Sequence, residues 1–276
     1  MNGKINILSY LKSNSGGFSK TLEKISSYLK VNADKAIFQT ITQLAEVTGT
    51  SEASIVRFCR HLGYSSYAEF KMSLALAIND TAPAQNGSSS NTVSQRLNSA
   101  TEGLKHTSEL IDTKLLIKVA DTIKKSGKVI IIGVASSGVT AEYLNYQLNR
   151  IGIISNCFSD MHMACMTASH LDKNDLLFSI SSGGSTKEVI EATKIGKQRG
   201  CKTIGITNIS KSPLLRHLDI CLTVANPEAP LSGGDFCAKI NQLFLIELII
   251  SNLVLKYPDC KKSFADSANA VVNLLY

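Results

Sequence analysis

The chain has 276 residues, of which 44% are hydrophobic and 18% are charged. This length accommodates more than one ordinary domain, and the composition excludes a wholly disordered protein because it supplies an apolar core. The net charge is +7, of which +3 falls in residues 1–80 (nine Lys/Arg against six Asp/Glu). A mild, spread excess of this kind permits a polyanionic partner without requiring one.

The N-terminus and the cysteines predict an intracellular protein. The first residues lack a signal-peptide pattern, and the longest apolar stretch, 242–255, contains Glu247 and falls short of the about 20 residues that cross a bilayer. Seven scattered cysteines, with no CxxC spacing, argue against a disulfide framework and against a zinc cluster. We therefore expect a cytoplasmic protein with no membrane association and no metal.

A polar segment divides the chain. Residues 79–95 contain Pro83, Gly87 and a run of serines but almost no large apolar side chain, which is typical of a linker. We therefore predict a small all-α domain over 1–78, a linker over 79–95 and a larger domain over 96–276. In the first domain, apolar spacing predicts helical segments at 19–30, 34–38, 41–48, 51–62 and 67–78.

The larger domain alternates short apolar segments with helical ones. Strands are predicted at 129–133, 153–158, 176–181, 203–207 and 220–224, and helices at 92–111, 139–150, 162–170, 186–199 and 213–217. Strands that are apolar on both faces favour an α/β doubly wound, five-stranded parallel sheet covered by helices. A last helix, 237–256, is apolar almost all round, and we expect it to contribute to a homodimer interface.

Residues 41–61 fit a helix-turn-helix. Gly49 lies at the turn, and Ser51 is placed to cap the second helix. The outer face of that helix carries four polar side chains, Ser54, Arg57, Arg60 and His61. Arginines there suit guanine edges or phosphates. Spacing alone leaves two interpretations about equal, a DNA-reading helix and the solvated face of a small helical bundle.

Two hydroxyl-rich loops follow predicted strands. The first spans 133–138 (GVASSG) and the second spans 181–186 (SSGGST), and each enters a helix N-terminus. Free backbone N–H groups and hydroxyls there can bind an anion, although either loop alone could be a simple helix-capping turn. Two such loops in one parallel sheet favour a phosphate ester. Neither loop is a Walker A or GxGxxG motif, so we expect no dinucleotide cofactor.

The N-terminal string LAEVTGTSEASIVRFCRHLGYSSYAEFK resembles the RpiR family of bacterial transcriptional regulators, in which a helix-turn-helix domain precedes a sugar-isomerase (SIS) domain. The resemblance covers nearly the whole chain apart from the linker. It implies that Arg57 and Arg60 contact double-stranded operator DNA, with Ser51, Glu52 and Ser54 at the head of the recognition helix. It also places Lys71 within reach of the DNA backbone.

The resemblance further implies that both hydroxyl-rich loops hold the phosphate of a phosphosugar. Ser137, Ser181 and Thr186 match the family pattern, and Ser136 and Ser182 are neighbours of the right type. The sequence departs from the pattern in three places. Ala135 stands where Gly is usual, Gly183 (which we keep in the predicted ligand set) where a second Ser is usual, and Ser185 where Glu is frequent.

Two further ligand candidates lie outside the loops. His162 follows the second strand and could reach the sugar, and Lys239 opens the last helix and could pair with phosphate. Each could equally be an exposed polar residue. Glu247 is either a carboxylate near the site or one partner in a helix salt bridge.

Three functions remain to be weighed. A phosphosugar-controlled transcription factor accounts for both domains. A phosphosugar isomerase with an appended helical domain would need a general base. His162 and Glu247 are available for that role, but neither stands in a recognisable catalytic motif. A helical adaptor that contacts only protein is weaker. We expect a regulator and not an enzyme. The family resemblance favours a repressor of sugar or amino sugar catabolism, with N-acetylmannosamine 6-phosphate as the first effector to test.

Overall fold

The computed structural model describes residues 7, 18–81, 92–225 and 236–274. Contacts divide these residues into two compact units, one up to Thr92 and one from Val93 onward. The segment predicted as a linker is helical at both of its ends, over 79–81 and 92–95, and its remainder lies outside the described residues. Each unit is described by itself below.

The first unit is all-helical. Its described helices are α1 (Lys20–Ala36), α2 (Ile41–Val47), α3 (Glu52–His61) and α4 (Tyr67–Thr81). The two segments predicted at 19–30 and 34–38 form the single helix α1, which is kinked at Asn32 (φ −124°, ψ 32°). The side-chain amide of Asn32 donates to the carbonyl of Tyr28 at 3.2 Å. The amide thus supplies a local partner where the backbone leaves helical geometry.

Phe58 of α3 lies at the centre of this unit's core. It is fully buried, and its ring meets that of Phe70 edge-on, with 6.0 Å between ring centroids. Ile55, one turn earlier, and Cys59, the next residue, are buried with it, on the side of α3 opposite to the predicted outer face. At the preceding helix, Thr40 and Gln43 form a reciprocal capping box that fixes where α2 begins.

The second unit is a doubly wound α/β domain. Its helices are α5 (Thr92–Leu110), α6 (Thr113–Lys125), α7 (Ser136–Arg150), α8 (Met161–Ala168), α9 (Lys187–Gln198), α10 (Phe236–Lys256) and α11 (Pro258–Val271), with 3₁₀ turns at Pro213–His217 and Val272–Leu274. Its strands are β1 (Val129–Ile132), β2 (Ser155–Phe158), β3 (Leu176–Ile180), β4 (Lys202–Thr207) and β5 (Ile220–Thr223). All pair in parallel, in the order β2-β1-β3-β4-β5, which confirms the predicted fold.

The sheet separates two apolar cores. Helices α6, α7 and α10 bury Ile123, Leu144 and Ile249 against one face, while α8 and α9 bury Ala168 and Val189 against the other. Every residue of β1 and of β3 is buried, as expected for central strands covered on both faces. The order of strands reverses between β1 and β3, and ligands bind beyond the strand ends at such a point.

Helix α10 is longer than the apolar stretch that the sequence indicated. It has 21 residues, and among the described residues it is the one helix long and apolar enough to pass a membrane-span test by length and composition. Its residues Leu245, Ile246, Ile249 and Leu253 belong to the core of the α/β unit. A core helix satisfies the same test, so the result is weak evidence for a span.

The seven cysteines are all free, and all are buried or half-buried. Burial raises the pKa of Cys59 and Cys157 to about 12. It also raises the pKa of Cys201 and Cys221 to about 11. These side chains therefore pack as small apolar groups, as the sequence suggested.

Candidate functional site

The two predicted loops meet at the switch point of the sheet. Ile132 at the end of β1 pairs with Ser179 of β3, so the loops that follow these strands emerge side by side. Ser137 from the first loop and Ser182 from the second are both buried, and their hydroxyl oxygens lie 3.5 Å apart. Sequence reasoning assigned both loops to one site, and the structure brings them together.

Lys239 joins these two hydroxyls. It lies in the first turn of α10, and its ammonium donates to the Ser182 hydroxyl at 2.6 Å and to the Ser137 hydroxyl at 3.5 Å. The side chain is half-buried rather than fully exposed. A cation held against two serines, one from each strand-end loop, is an arrangement that can bind a dianionic group such as a phosphate ester.

The helices that begin at the two loops have no side-chain cap. Neither the start of α7, at Ala135, nor the start of α9, at Thr186, shows a side-chain hydrogen bond to its free N–H groups. By contrast α6 and α8 are capped by the carboxylates of Asp112 and Asp160. The uncapped N-termini leave partial positive charge at the place where Lys239 stands, which favours an anion.

Each loop contains one residue with a positive φ angle. Ala135 has φ 51° and ψ −130°, a conformation that side-chain-bearing residues rarely adopt. In the second loop Gly184 has φ 57°, and a Cβ there would lie 2.1 Å from the Ser212 hydroxyl, so only glycine fits. The family departure at Ala135 therefore falls on a residue that carries backbone strain.

The other loop residues hold the second loop together. Ser181 and Thr186 approach at 3.4 Å between hydroxyl oxygens, and the Ser185 hydroxyl donates to the Gly183 carbonyl at 3.1 Å. Gly183 is exposed. At the first loop, Ser136 is half-buried at the first position of α7.

His162 and Glu247 lie apart from this hydrogen-bonded group. His162 is exposed in the first turn of α8, where its backbone N–H donates to Asp160. Glu247 accepts from the Tyr143 hydroxyl and from the Gln147 amide, two residues of α7. The bond to Glu247 raises the pKa of Tyr143. Glu247 thus joins α10 to α7 through hydrogen bonds from neutral side chains, where the sequence offered a helix salt bridge.

Sequence reasoning missed Gln242, which is fully buried beneath Ser182. Its amide Nε2 donates to the Ser182 hydroxyl at 3.1 Å and to the Asn208 side-chain oxygen at 2.7 Å. Thr207 also supports Ser182, by donating to its carbonyl at 3.0 Å. An amide in a largely apolar helix, one turn after Lys239, is the sequence signal that could have located this residue.

The helical unit presents the predicted recognition surface on α3. The side chains of Arg57, Arg60 and His61 are exposed, and the ring of His61 meets that of Phe18 edge-on at 5.4 Å. The Ser51 hydroxyl accepts from the backbone N–H of Ser54 at 3.2 Å and so caps the helix, as its position predicted.

Two residues of the predicted DNA-binding set are engaged inside the unit. Glu52 accepts a 2.6 Å hydrogen bond from the Thr42 hydroxyl, which ties α3 to α2. The ammonium of Lys71 donates to the Gln39 carbonyl at 3.2 Å, and burial lowers the pKa of Lys71 to about 8. In this geometry both side chains support the helix-turn-helix.

In the part of the chain that the structure describes, no group of three or more His, Cys, Asp or Glu side chains is placed to hold a metal ion.

Both units match families of known proteins. Residues 5–81 match the family model described as a helix-turn-helix domain of the rpiR family, and residues 122–252 match the SIS domain model. An HTH-type transcriptional regulator of Clostridium perfringens (strain 13 / Type A) is 31% identical over 244 residues, covering 86% of this chain and 88% of the relative.

Two solved structures are similar to this chain. The Vibrio vulnificus NanR protein, solved as a complex with ManNAc-6P, is 38% identical and superposes with a TM-score of 0.91, covering 98% of this chain and 99% of NanR. The sugar isomerase domain of an RpiR transcription factor from Sphaerobacter thermophilus is 19% identical, with a TM-score of 0.60 over 65% of this chain and 99% of that domain, a likeness that shows the fold alone.

Proposed function

Because the chain belongs to the rpiR family of helix-turn-helix transcriptional regulators, we propose that it represses an operon for sugar or amino sugar catabolism under the control of a phosphosugar. The phosphosugar binds in the SIS domain, at the two strand-end loops. The observation that carries the proposal is the contact of Lys239 with Ser137 and Ser182 beside two uncapped helix N-termini.

N-acetylmannosamine 6-phosphate is the effector that we propose. The phosphate would accept hydrogen bonds from the Lys239 ammonium and the loop hydroxyls, since charge-assisted bonds to phosphate are the strongest available there. Support for the sugar itself comes from NanR, which carries ManNAc-6P and resembles this chain over 98% of its length. His162, exposed at the start of α8, is the candidate for contact with the sugar ring.

For DNA binding we propose that Arg57 and Arg60 contact the operator. Both are exposed on α3, the second helix of the helix-turn-helix, which enters the major groove in such proteins. We propose a homodimer, because paired recognition helices would then reach half-sites about 34 Å apart. The proposal places the protein in the cytoplasm with its operator DNA.

Isothermal titration of the full-length protein with N-acetylmannosamine 6-phosphate, with its unphosphorylated parent and with N-acetylglucosamine 6-phosphate tests the effector. We expect binding of the first, and no binding of the parent, which lacks the phosphate. Incubation followed by chromatography of the sugar checks turnover. Conversion of the ligand would favour the isomerase alternative, and absence of binding to any of the three would contradict the proposed effector site.

A further inference from the structure

The side-chain amide of Gln242 uses its whole hydrogen-bonding capacity. Its nitrogen donates to Ser182 and Asn208, and its oxygen lies 3.3 Å from the Thr140 hydroxyl and 3.4 Å from the Lys239 ammonium. An amide has two donors and an acceptor with two lone pairs, so all four positions are filled. Rotating the amide by half a turn would place its NH₂ against a cation, so its orientation is fixed.

The same hydrogen bonds continue away from the phosphate loops. The side-chain amide of Asn208 donates to the Ala225 carbonyl at 3.2 Å, and Asn241 of α10 donates to that carbonyl at 3.4 Å. The backbone N–H of Ala225 then donates to the Thr107 hydroxyl at 3.1 Å. Thr107 is fully buried and belongs to α5, the helix through which the chain enters the α/β unit.

We propose that Gln242, Asn208, the backbone N–H and carbonyl of Ala225, and Thr107 form a hydrogen-bonded relay. This relay transmits the occupancy of the phosphosugar site at Ser182 and Lys239 to helix α5. The inference rests on the proposed function, because it takes the phosphosugar as the input. Its output is α5, which follows the helical unit in the chain. Gln242, Asn208 and Thr107 are thus positioning residues, and the ligand contacts only the first part of the relay.

The physical basis is the displacement of two hydrogen-bond partners of Gln242. A phosphate that draws the Lys239 ammonium and the Ser182 hydroxyl toward itself weakens one bond to the Gln242 oxygen and one to its nitrogen. Gln242 is buried, so each lost partner must be replaced from within the protein. The hydrogen bonds of Gln242 to its remaining partners, Thr140 and Asn208, then shift. Asn208 passes this shift to Ala225 through its own hydrogen bond to the Ala225 carbonyl. The coupling free energy cannot exceed the difference in ligand binding free energy between the arrangements of Gln242 with and without these bonds.

Thr107→Val tests the relay, because valine keeps the shape of threonine and removes the hydroxyl that accepts from Ala225. Thr101→Val is the matched control, since the Thr101 hydroxyl, exposed on the same helix, donates to the Leu97 carbonyl within α5. Thr107→Ser restores a hydroxyl. Hydrogen–deuterium exchange of the full-length protein, with and without N-acetylmannosamine 6-phosphate, follows the amides of the loops at 133–138 and 181–186 and those of α5.

In the wild type, Thr101→Val and Thr107→Ser, we expect the ligand to slow exchange at the loops and to change exchange in α5. In Thr107→Val we expect the loop response to persist and the α5 response to be lost. A ligand response of α5 in Thr107→Val equal to that of the wild type would overturn the relay, as would a wild type whose loops respond while α5 does not. A wild type whose loops do not respond would instead remove the proposed effector site.

Discussion

Lys239 donates a 2.6 Å hydrogen bond to the hydroxyl of Ser182, although 57 residues separate them in the chain. One residue lies in the first turn of α10 and the other in the loop after the third strand. The bond therefore exists only when the sheet and α10 are both in place. It makes the anion site a property of the assembled α/β unit rather than of either loop.

Lys239→Met should weaken phosphosugar binding. Loss of a charge-assisted hydrogen bond costs about 1.5–3 kcal/mol, which corresponds to about a 10- to 100-fold rise in Kd for N-acetylmannosamine 6-phosphate. Lys202→Met is the matched control, because Lys202 is exposed at the opposite end of the sheet. Calorimetric titration measures both variants. Equal affinity of the Lys239 and Lys202 variants would place the phosphate elsewhere.

Arg57→Ala and Arg60→Ala should each abolish specific operator binding without unfolding the protein, since both side chains are exposed. A lost bidentate base contact costs about 1–3 kcal/mol, whereas a lost phosphate contact lowers the salt dependence of binding. Fluorescence anisotropy at several salt concentrations, on an operator duplex selected with the wild-type protein, separates the two roles. Arg199→Ala, an exposed arginine of the α/β unit, is the control. Wild-type operator affinity in both variants would contradict the assignment.

Ala135→Gly should stabilise the α/β unit. Alanine at φ 51° and ψ −130° carries strain that glycine does not, and the gain is reduced by the greater chain entropy of unfolded glycine. We expect a net gain of about 1 kcal/mol in the free energy of unfolding, measured by urea denaturation. The same change at Ala265, exposed in the middle of α11, should cost about 1 kcal/mol. A loss of stability at both positions would show that Ala135 is not strained.

Lys71 should make the stability of the helical unit depend on pH. Burial lowers its pKa in the folded protein to about 8, so the unfolded chain binds more protons between about pH 8 and pH 10.5. Stability contributed by Lys71 therefore rises through this window, and below pH 8 the full desolvation cost is present. The test is urea denaturation of the wild type and of Lys71→Met at pH 7, 8.5 and 10. The stability of the wild type relative to the variant should rise by at most about 3 kcal/mol; a constant difference would refute the shifted pKa.

The fold was largely predictable because its local signals agree with its packing. All five strands lie within about two residues of their predicted bounds, and the apolar runs of β1, β3 and β4 are buried at the centre of the sheet. Two helices, α6 and α11, were not predicted, although Leu116, Val119 and Ile123 of α6 have helical spacing. The two predicted segments of α1 form one helix, because the bond from Asn32 to Tyr28 lets the chain bend without breaking.

The site was less predictable than the fold. Ser137, Ser182 and Lys239 could be nominated from loop composition and position, but only the folded structure brings them together. Gln242 was missed because no spacing pattern distinguishes it from the other amides of α10; its role follows from four contacts that exist only in the folded unit. Conversely, Glu52 and Lys71, which the sequence predicted to contact DNA, bond to their own unit.

The burial of the cysteines has a consequence for the chemical robustness of the protein. A thiol whose pKa is about 11, such as that of Cys201 or Cys221, is ionised in only about one molecule in ten thousand at pH 7. Peroxides and alkylating reagents attack the thiolate, so these side chains should react very slowly while the protein is folded. A cysteine introduced on an exposed helix, in place of Ala268 for example, would therefore carry a fluorescent label selectively, with the native thiols left in place.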